Sequence, residues 1–301
     1  MPPRRILLFL RLETGAGAAK RQGITRPQHF GTVTSFVEFR RMRFLYVFAT
    51  ARTGSNHLNR LLRSCPEFNA KAELFHPHLP PRVSPQERAA LEARAECTFD
   101  DRALRTWLRE HPADALDAIY KGGGQRIVIF KLFPGQLPLP VIASQFLENA
   151  DMRFAVLRRR PIECFISREK ANSLDRFLAV DTTEIKPAIA AAAFVAWAIR
   201  TQRWYEWVLS NLAARGLTHV ELSFERHLDT RSGEDALGQI LALLRPLGTP
   251  EIAIPRRVLV GARQDREAEY QNRVANWPEF EGEVRSNPTH AALLDWAERA
   301  P

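Results

Sequence analysis

Two stretches of this chain carry side chains of the kinds that hold anions, each just after an apolar run. The first reads Thr50-Ala51-Arg52-Thr53-Gly54-Ser55-Asn56-His57-Leu58. A tight turn with a small residue gives way there to a helical pattern. Such a turn leaves backbone N–H groups without helical acceptors and sets the positive end of a helix dipole beside them. Arg52 adds a fixed cationic fork; Thr53, Ser55 and Asn56 add neutral donors. The same residues also read as an ordinary strand-to-helix turn with Ser55 as N-cap, and the motif alone does not choose. The second stretch reads Arg158-Arg159-Arg160-Pro161-Ile162-Glu163-Cys164-Phe165-Ile166-Ser167. Three arginines ahead of a proline-started helix make a second anion site, although such a triplet is usually a solvated charge run and at least one of the three is expected to be that. Two anion sites at neighbouring strand ends point to a ligand with two separated anionic groups. Neither Gly-Lys-Ser/Thr nor GxGxxG occurs, which disfavours ordinary ATP chemistry.

The elements that must position these residues alternate between strand and helix. Phe44–Ala49 is a nearly continuous apolar run of the kind buried on both faces of a sheet. Leu58, Leu61 and Leu62 then line one face of a helix that ends near Pro66. Phe68–Phe75 reads as a short strand or an extended loop, and 84–119 as helical, with Pro85 near its start and Pro112 interrupting it. The glycines at 122–124 turn into a buried strand at Ile127–Leu132. Residues 141–149 look helical, Arg153–Leu157 makes a third strand, and 161–172 a helix. A long helix is expected from about Pro187 to Arg215, stopped by Gly216. Its stripe Phe194, Trp197, Thr201, Trp204, Val208 reads as core. A strand at His219–Leu222, a helix around 234–245 and an irregular polar tail complete the chain. Alternation of this kind predicts an α/β fold, a parallel sheet covered by helices on both faces, with ligands at the C-terminal ends of its strands.

Composition narrows the classes. The chain has 301 residues, 45% of them apolar and 26% charged, so wholesale disorder is excluded. No apolar run approaches the ~20 residues of a transmembrane helix. Cys65, Cys97 and Cys164 are scattered, with neither a disulfide framework nor metal-ligand spacing, which suits a reducing, cytoplasmic setting. Of the net charge of +9, the first 43 residues carry +7 (nine Lys/Arg against Glu13 and Glu38). Residues 1–42 are therefore expected to be a basic, poorly ordered extension, and 43–301 a single domain. Ile6–Leu10 is too short an apolar core for a secretory signal. With no zinc-finger spacing, basic zipper or RNA-binding strand, nucleic acid is not an expected partner.

A strand followed by RTGSNHL, then a later strand followed by R-x-P-x-x-x-x-x-S, resembles the sulfotransferases that use 3′-phosphoadenosine 5′-phosphosulfate (PAPS), with their P-loop-like sheet. Three further segments look similar to the bacterial carbohydrate-directed members, of the nodulation-factor and trehalose type. They are Ala72-Glu73-Leu74-Phe75-His76-Pro77, Phe130-Lys131-Leu132, and the tail Arg263-Gln264 with Val274-Ala275-Asn276-Trp277. The resemblance spans roughly 43–285. It implies that Arg52, Thr53, Gly54, Ser55, Asn56 and His57 surround the 5′-phosphosulfate, that Arg159 and Ser167 hold the 3′-phosphate, and that Arg263 belongs to the cofactor-covering end. Arg160 stands where the family usually has Asp or Asn. Lys131 is implied to reach the 5′-side oxygens, or else is a solvent-facing strand-end lysine. No metal is implied. Phenol- and steroid-directed members carry a histidine two places after that lysine, where this chain has Phe133. Carbohydrate-directed relatives use a glutamate soon after the first helix, which implies Glu73 as base, with His76 and His57 as competitors. The implied acceptor is a hydroxyl of a small molecule, carbohydrate or glycolipid.

Two other classes of reading stay open at this level. One is a non-catalytic or differently catalytic nucleotide- or anion-binding protein of the same fold. The other is a basic surface-binding protein working through its N-terminal segment, with salt-sensitive affinity for polyanions. The helices of 84–119 are of a kind that can pair in a homodimer, and nothing in their pattern demands it.

Overall fold

The computed structural model describes residues 42–174, 181–230, 232–261 and 264–294. The basic segment 1–41 therefore lies outside the described residues; Met42, one residue ahead of the expected domain start, is already buried. Five strands, β1 (Phe44–Phe48), β2 (Phe68–Ala70), β3 (Ile127–Leu132), β4 (Met152–Arg158) and β5 (His219–Ser223), form one sheet in the order β2-β3-β1-β4-β5. Every pair is parallel, as the alternation of elements predicts. β1 is central. Phe48 stands level with Leu132 on one side and Val156 on the other, so the ends of β1, β3 and β4 come out together.

The pleat sends alternate side chains of β1 into two separate cores. Phe44, Tyr46 and Phe48 join Phe130, Phe154 and Phe146 in an aromatic cluster, and Leu45, Val47 and Ala49 pack with Leu58, Leu61, Leu237 and Ile240. The first core is roofed by α2 (Pro85–Ala95), α3 (Asp101–Glu110), α4 (Pro112–Gly122), α5 (Leu139–Ile142, running on into a π turn at Ala143–Leu147) and the C-terminal half of α7 (Ala191–Ala214). The second is roofed by α1 (Ser55–Leu62) and α8 (Gly233–Leu244). Both faces of the sheet are thus covered. Phe194, Thr201, Trp204 and Val208 are buried as the stripe on α7 predicts, and Trp197, half-buried, packs against the core that holds Phe194.

Local signals set most boundaries. Ser84 and Glu87 form a complete capping box with Pro85 in the first turn of α2, and Asp100 caps α3. Glu96, in the left-handed region, ends α2, and Pro112 starts α4, so 84–119 holds three helices and not one interrupted helix. Gly216, at φ 61°, follows the end of α7 as expected. The segment after β2 stays on the ladder for two more residues, Lys71 N–H donating to Ile129 O and Lys131 N–H to Ala72 O.

Two expectations are corrected. The long helix starts at Ala191, not near Pro187, because Pro187 O and Ile189 N–H are engaged by Ala275 N–H and Asn276 Oδ1. The tail is not irregular. It forms α9 (Tyr270–Arg273), α10 (Trp277–Arg285) and α11 (Pro288–Leu294), after α6 (Pro161–Leu174) on the same core. Val274, Trp277, Phe280, Val284 and Leu294 are buried there against Ile162, Phe165 and Phe194. The spacing of 277, 280 and 284 is one helical face, masked in the sequence by the polar residues between.

Candidate active site

The turn after β1 is locked by its own backbone. Gly54 adopts φ 83° and caps α1 through that conformation, with no side-chain cap bond; Ser55 is the first helical residue, correcting its expected role as N-cap. A side chain at Gly54 is barred twice, because a Cβ there would lie 2.2 Å from the Phe224 ring. Arg52, a non-glycine residue, also has a left-handed φ of 69°. Such a conformation costs on the order of 1 kcal/mol and persists where surrounding contacts enforce it. Thr53 Oγ1 donates to Thr50 O at 2.8 Å, so this hydroxyl closes the turn. What the turn presents is the first amides of α1, which have no acceptor within the helix.

At the end of β3, Lys131 is 3% exposed, which removes the solvent-facing alternative. Its Nζ donates to Ser55 Oγ at 3.0 Å and Asn56 Oδ1 at 2.7 Å, and pairs with Glu73 Oε1 at 3.4 Å. Burial pulls this ammonium down to about 8, against the opposing pull of Glu73. Glu73 Oε2 accepts from Gln136 Nε2 at 2.7 Å, and Gln136 Oε1 accepts Phe133 N–H at 2.9 Å. Gln136 is a buried residue of this site that the sequence reading missed. It lies in the turn after β3, where an amide side chain carries no motif.

The two histidine competitors are placed differently. His76 Nδ1 accepts the N–H groups of His78 and Leu79 at 3.0 and 2.9 Å. Those two donors put the ring proton on Nε2, so neutral His76 has no vacant nitrogen to receive another. Burial also lowers its pKa. His57 joins α1 to two other segments, through the Leu228 backbone and by accepting Gly261 N–H at 3.4 Å. Both contacts are those of packing, and neither lies on β3.

At the end of β4 the three arginines divide. Arg158 pairs with Glu221 at 3.1 Å and lies over the Tyr205 ring. Arg160 gives its backbone N–H to Glu225 and bonds Tyr270 through its side chain. Arg159 turns to the first loop: Nη1 donates to Arg52 O at 3.1 Å, Nη2 to Glu163 Oε2 at 3.2 Å, and the guanidinium faces the Phe224 ring at 4.3 Å. Its Nε is buried without a hydrogen-bond partner. Arg52 closes the circuit, with Nε donating to Ser167 Oγ at 2.9 Å and Nη2 to Gln264 Oε1 at 2.8 Å. Burial first, and then the charge of Arg159, lower the Arg52 pKa. Arg263 lies outside the described residues, next to the Gln264 that reaches Arg52.

Two sets of cationic and amide donors therefore meet at the ends of β1, β3 and β4, the place where a parallel sheet opens on a ligand. An orphaned buried N–H, a helix start without a side-chain cap and a glycine cradle fit a ligand with phosphate groups at two points. Among the described residues no three His, Cys, Asp or Glu side chains gather to hold a metal, and no helix is long and apolar enough to cross a membrane.

No family model matches the chain, and no curated protein matches it. Solved structures similar to it include a sulfotransferase from Alicyclobacillus acidocaldarius, at 17% identity over 85% of this chain and 95% of that one, TM-score 0.43. The sulfotransferase domain from the curacin biosynthetic pathway is 12% identical over 87% and 94%, TM-score 0.43. The sulfotransferase domain of the Synechococcus PCC 7002 olefin synthase is 14% identical over 87% and 90%, TM-score 0.42.

Proposed function

We propose that the chain is a PAPS-dependent sulfotransferase that modifies a hydroxyl of a carbohydrate or glycolipid acceptor. The reading is carried by one observation: the turn after β1 is wired through Arg52 to Arg159 and Ser167 after β4, with the unpartnered Arg159 Nε between them. The α1 amides, Ser55, Asn56 and Lys131 would hold the 5′ side, and Arg159 with Ser167 the 3′-phosphate. Arg52, bonded to Ser167 and Gln264, stands between the two halves. When bound, PAPS supplies an activated sulfuryl group on a phosphate leaving group.

The chain's own residues then have three tasks. Glu73 takes the proton of the acceptor hydroxyl as its oxygen bonds to sulfur; an alcohol is far too weak an acid to lose that proton beforehand. Gln136 fixes the carboxylate plane. Lys131 and the α1 amides neutralise the charge that grows on the departing phosphate oxygen, the electrostatic part of such a transfer. The buried, preformed arrangement strengthens each of these contacts.

Thermal unfolding with 3′,5′-adenosine bisphosphate, AMP and ATP tests the nucleotide. A native-state ligand at a hundredfold excess over its Kd stabilises by about 2.7 kcal/mol. Stabilisation by the bisphosphate beyond that by AMP, lost in Arg159→Ala, is expected; equal shifts with all three nucleotides would sink the reading. Glu73→Gln is expected to lower kcat by about a hundredfold or more while leaving bisphosphate affinity intact. Tight binding without sulfate transfer to any hydroxyl acceptor would favour the non-catalytic nucleotide-binding reading.

A further inference from the structure

A chain of buried charges runs from α6 into the tail. Lys170 Nζ, fully buried, donates to Asp265 Oδ2 at 2.8 Å and Thr182 O at 3.0 Å. Asp265 Oδ2 also accepts Arg273 Nε at 3.0 Å. Arg273 grips Glu163 with both terminal nitrogens, Nη1 to Oε1 at 2.8 Å and Nη2 to Oε2 at 2.9 Å, and Tyr270 adds its hydroxyl to the same carboxylate. Glu163 is in turn the carboxylate that touches Arg159.

A carboxylate four residues after an anion-binding arginine is a competitor for that arginine. Glu163 would mimic the ligand's phosphate and hold Arg159 closed on itself. Its two oxygens are already taken at short distance by the bidentate fork of Arg273, the strongest geometry open to such a pair. Its single bond to Arg159 is longer. Of the five N–H donors of Arg159, one goes to Arg52 O and one to Glu163, and the buried Nε–H has no partner. Arg159 thus shares that carboxylate with Arg273 and keeps a buried donor without a partner.

We infer that Arg273 is a positioning residue: by neutralising Glu163 from the tail, it keeps Arg159 available to the second phosphate of a nucleoside 3′,5′-bisphosphate. This rests on the reading of Arg159 and Ser167 as the site of that phosphate. The tail then acts on affinity by charge compensation, in addition to whatever it covers. A purely structural Arg273 would instead only anchor α9.

Calorimetric Kd values for 3′,5′-adenosine bisphosphate and for AMP separate the two. The wild type is expected to prefer the bisphosphate. Arg273→Gln is expected to weaken bisphosphate binding about tenfold, as for close charge pairs generally, with AMP unchanged. Adding Glu163→Gln to it removes the uncompensated carboxylate and should restore the bisphosphate Kd to within about threefold of wild type. Arg273→Lys keeps the charge but not the bidentate grip and serves if Arg273→Gln does not fold. Its loss should be smaller, and Glu163→Gln should again remove it. A preference unchanged in both Arg273 variants, or a double variant no better than its single parent, overturns the inference while the site reading stands. A wild type that does not prefer the bisphosphate overturns both.

Discussion

The ammonium of Lys131 sits among Ser55, Asn56 and Glu73 with almost no access to water, and it loses its proton near pH 8 instead of above 10. In the proposed sulfuryl transfer its value would lie in its positive charge, so the reaction should weaken as that charge is lost. For the free enzyme, kcat/KM for the anionic donor is expected to hold steady below about pH 8 and to fall close to tenfold per pH unit above it. In Lys131→Arg the alkaline limb should disappear from the accessible range, because a guanidinium stays protonated there. A limb unmoved by that substitution would assign the titration to another group. The kcat limb should lie higher than the kcat/KM limb, since a bound anion favours the protonated amine.

At the scale of elements, the sheet edge is fastened to the helical layer by one buried polar cluster. Glu87, 1% exposed in the first turn of α2, accepts from Lys71 Nζ at 2.5 Å, Asn69 Nδ2 at 2.6 Å and Ser84 N–H at 2.6 Å. Burial pushes this carboxyl up, but the bonds from Lys71, Ser84 and Asn69 outweigh it, and the pKa is held below the ordinary carboxylate range. The sign follows. A depressed folded pKa stabilises the fold above the unfolded value and is lost as pH falls through the folded one. Glu87→Gln should therefore cost roughly 3 kcal/mol at pH 7, by stranding Lys71. That difference from wild type should shrink as denaturant titrations are moved to acid pH, into and below the carboxylate range. Because Glu73 follows β2 directly, a loosened edge should also lower kcat.

At the scale of the molecule, the tail belongs to the body of the protein. Phe280 is 1% exposed and packs against Phe194 with ring centroids 5.5 Å apart. Phe280→Ala is expected to cost about 3 kcal/mol in global stability by urea unfolding. A cost below ~0.5 kcal/mol would mean that α10 frays without consequence for the rest. Much of the fold was legible in the sequence. The strands at 44–48, 127–132 and 152–158 are largely apolar runs that only a sheet covered on both faces can bury, and their alternation with helices dictates parallel pairing. The tail was misread because half of each amphipathic turn is polar, and only a partner surface reveals which half counts.

The candidate site divides along the same line. The sequence by itself determined the two donor-rich turns, since an arginine and small residues between an apolar run and a helix start are local features, set by spacing along the chain. It also settled the absence of a Walker lysine and the availability of Glu73 and Lys131 as residue types. Tertiary structure alone decided the rest: that Lys131 is buried against Glu73, that Gln136 holds Glu73, and that Arg52 binds Ser167 rather than standing alone in its loop. It alone set Arg273 behind Glu163, 110 residues away along the chain. Such contacts depend on strand order and on which face of each helix packs inward. Hydrogen bonds and burial between distant segments carry no periodicity in sequence, so they become visible only when the sheet brings the ends of β1, β3 and β4 together.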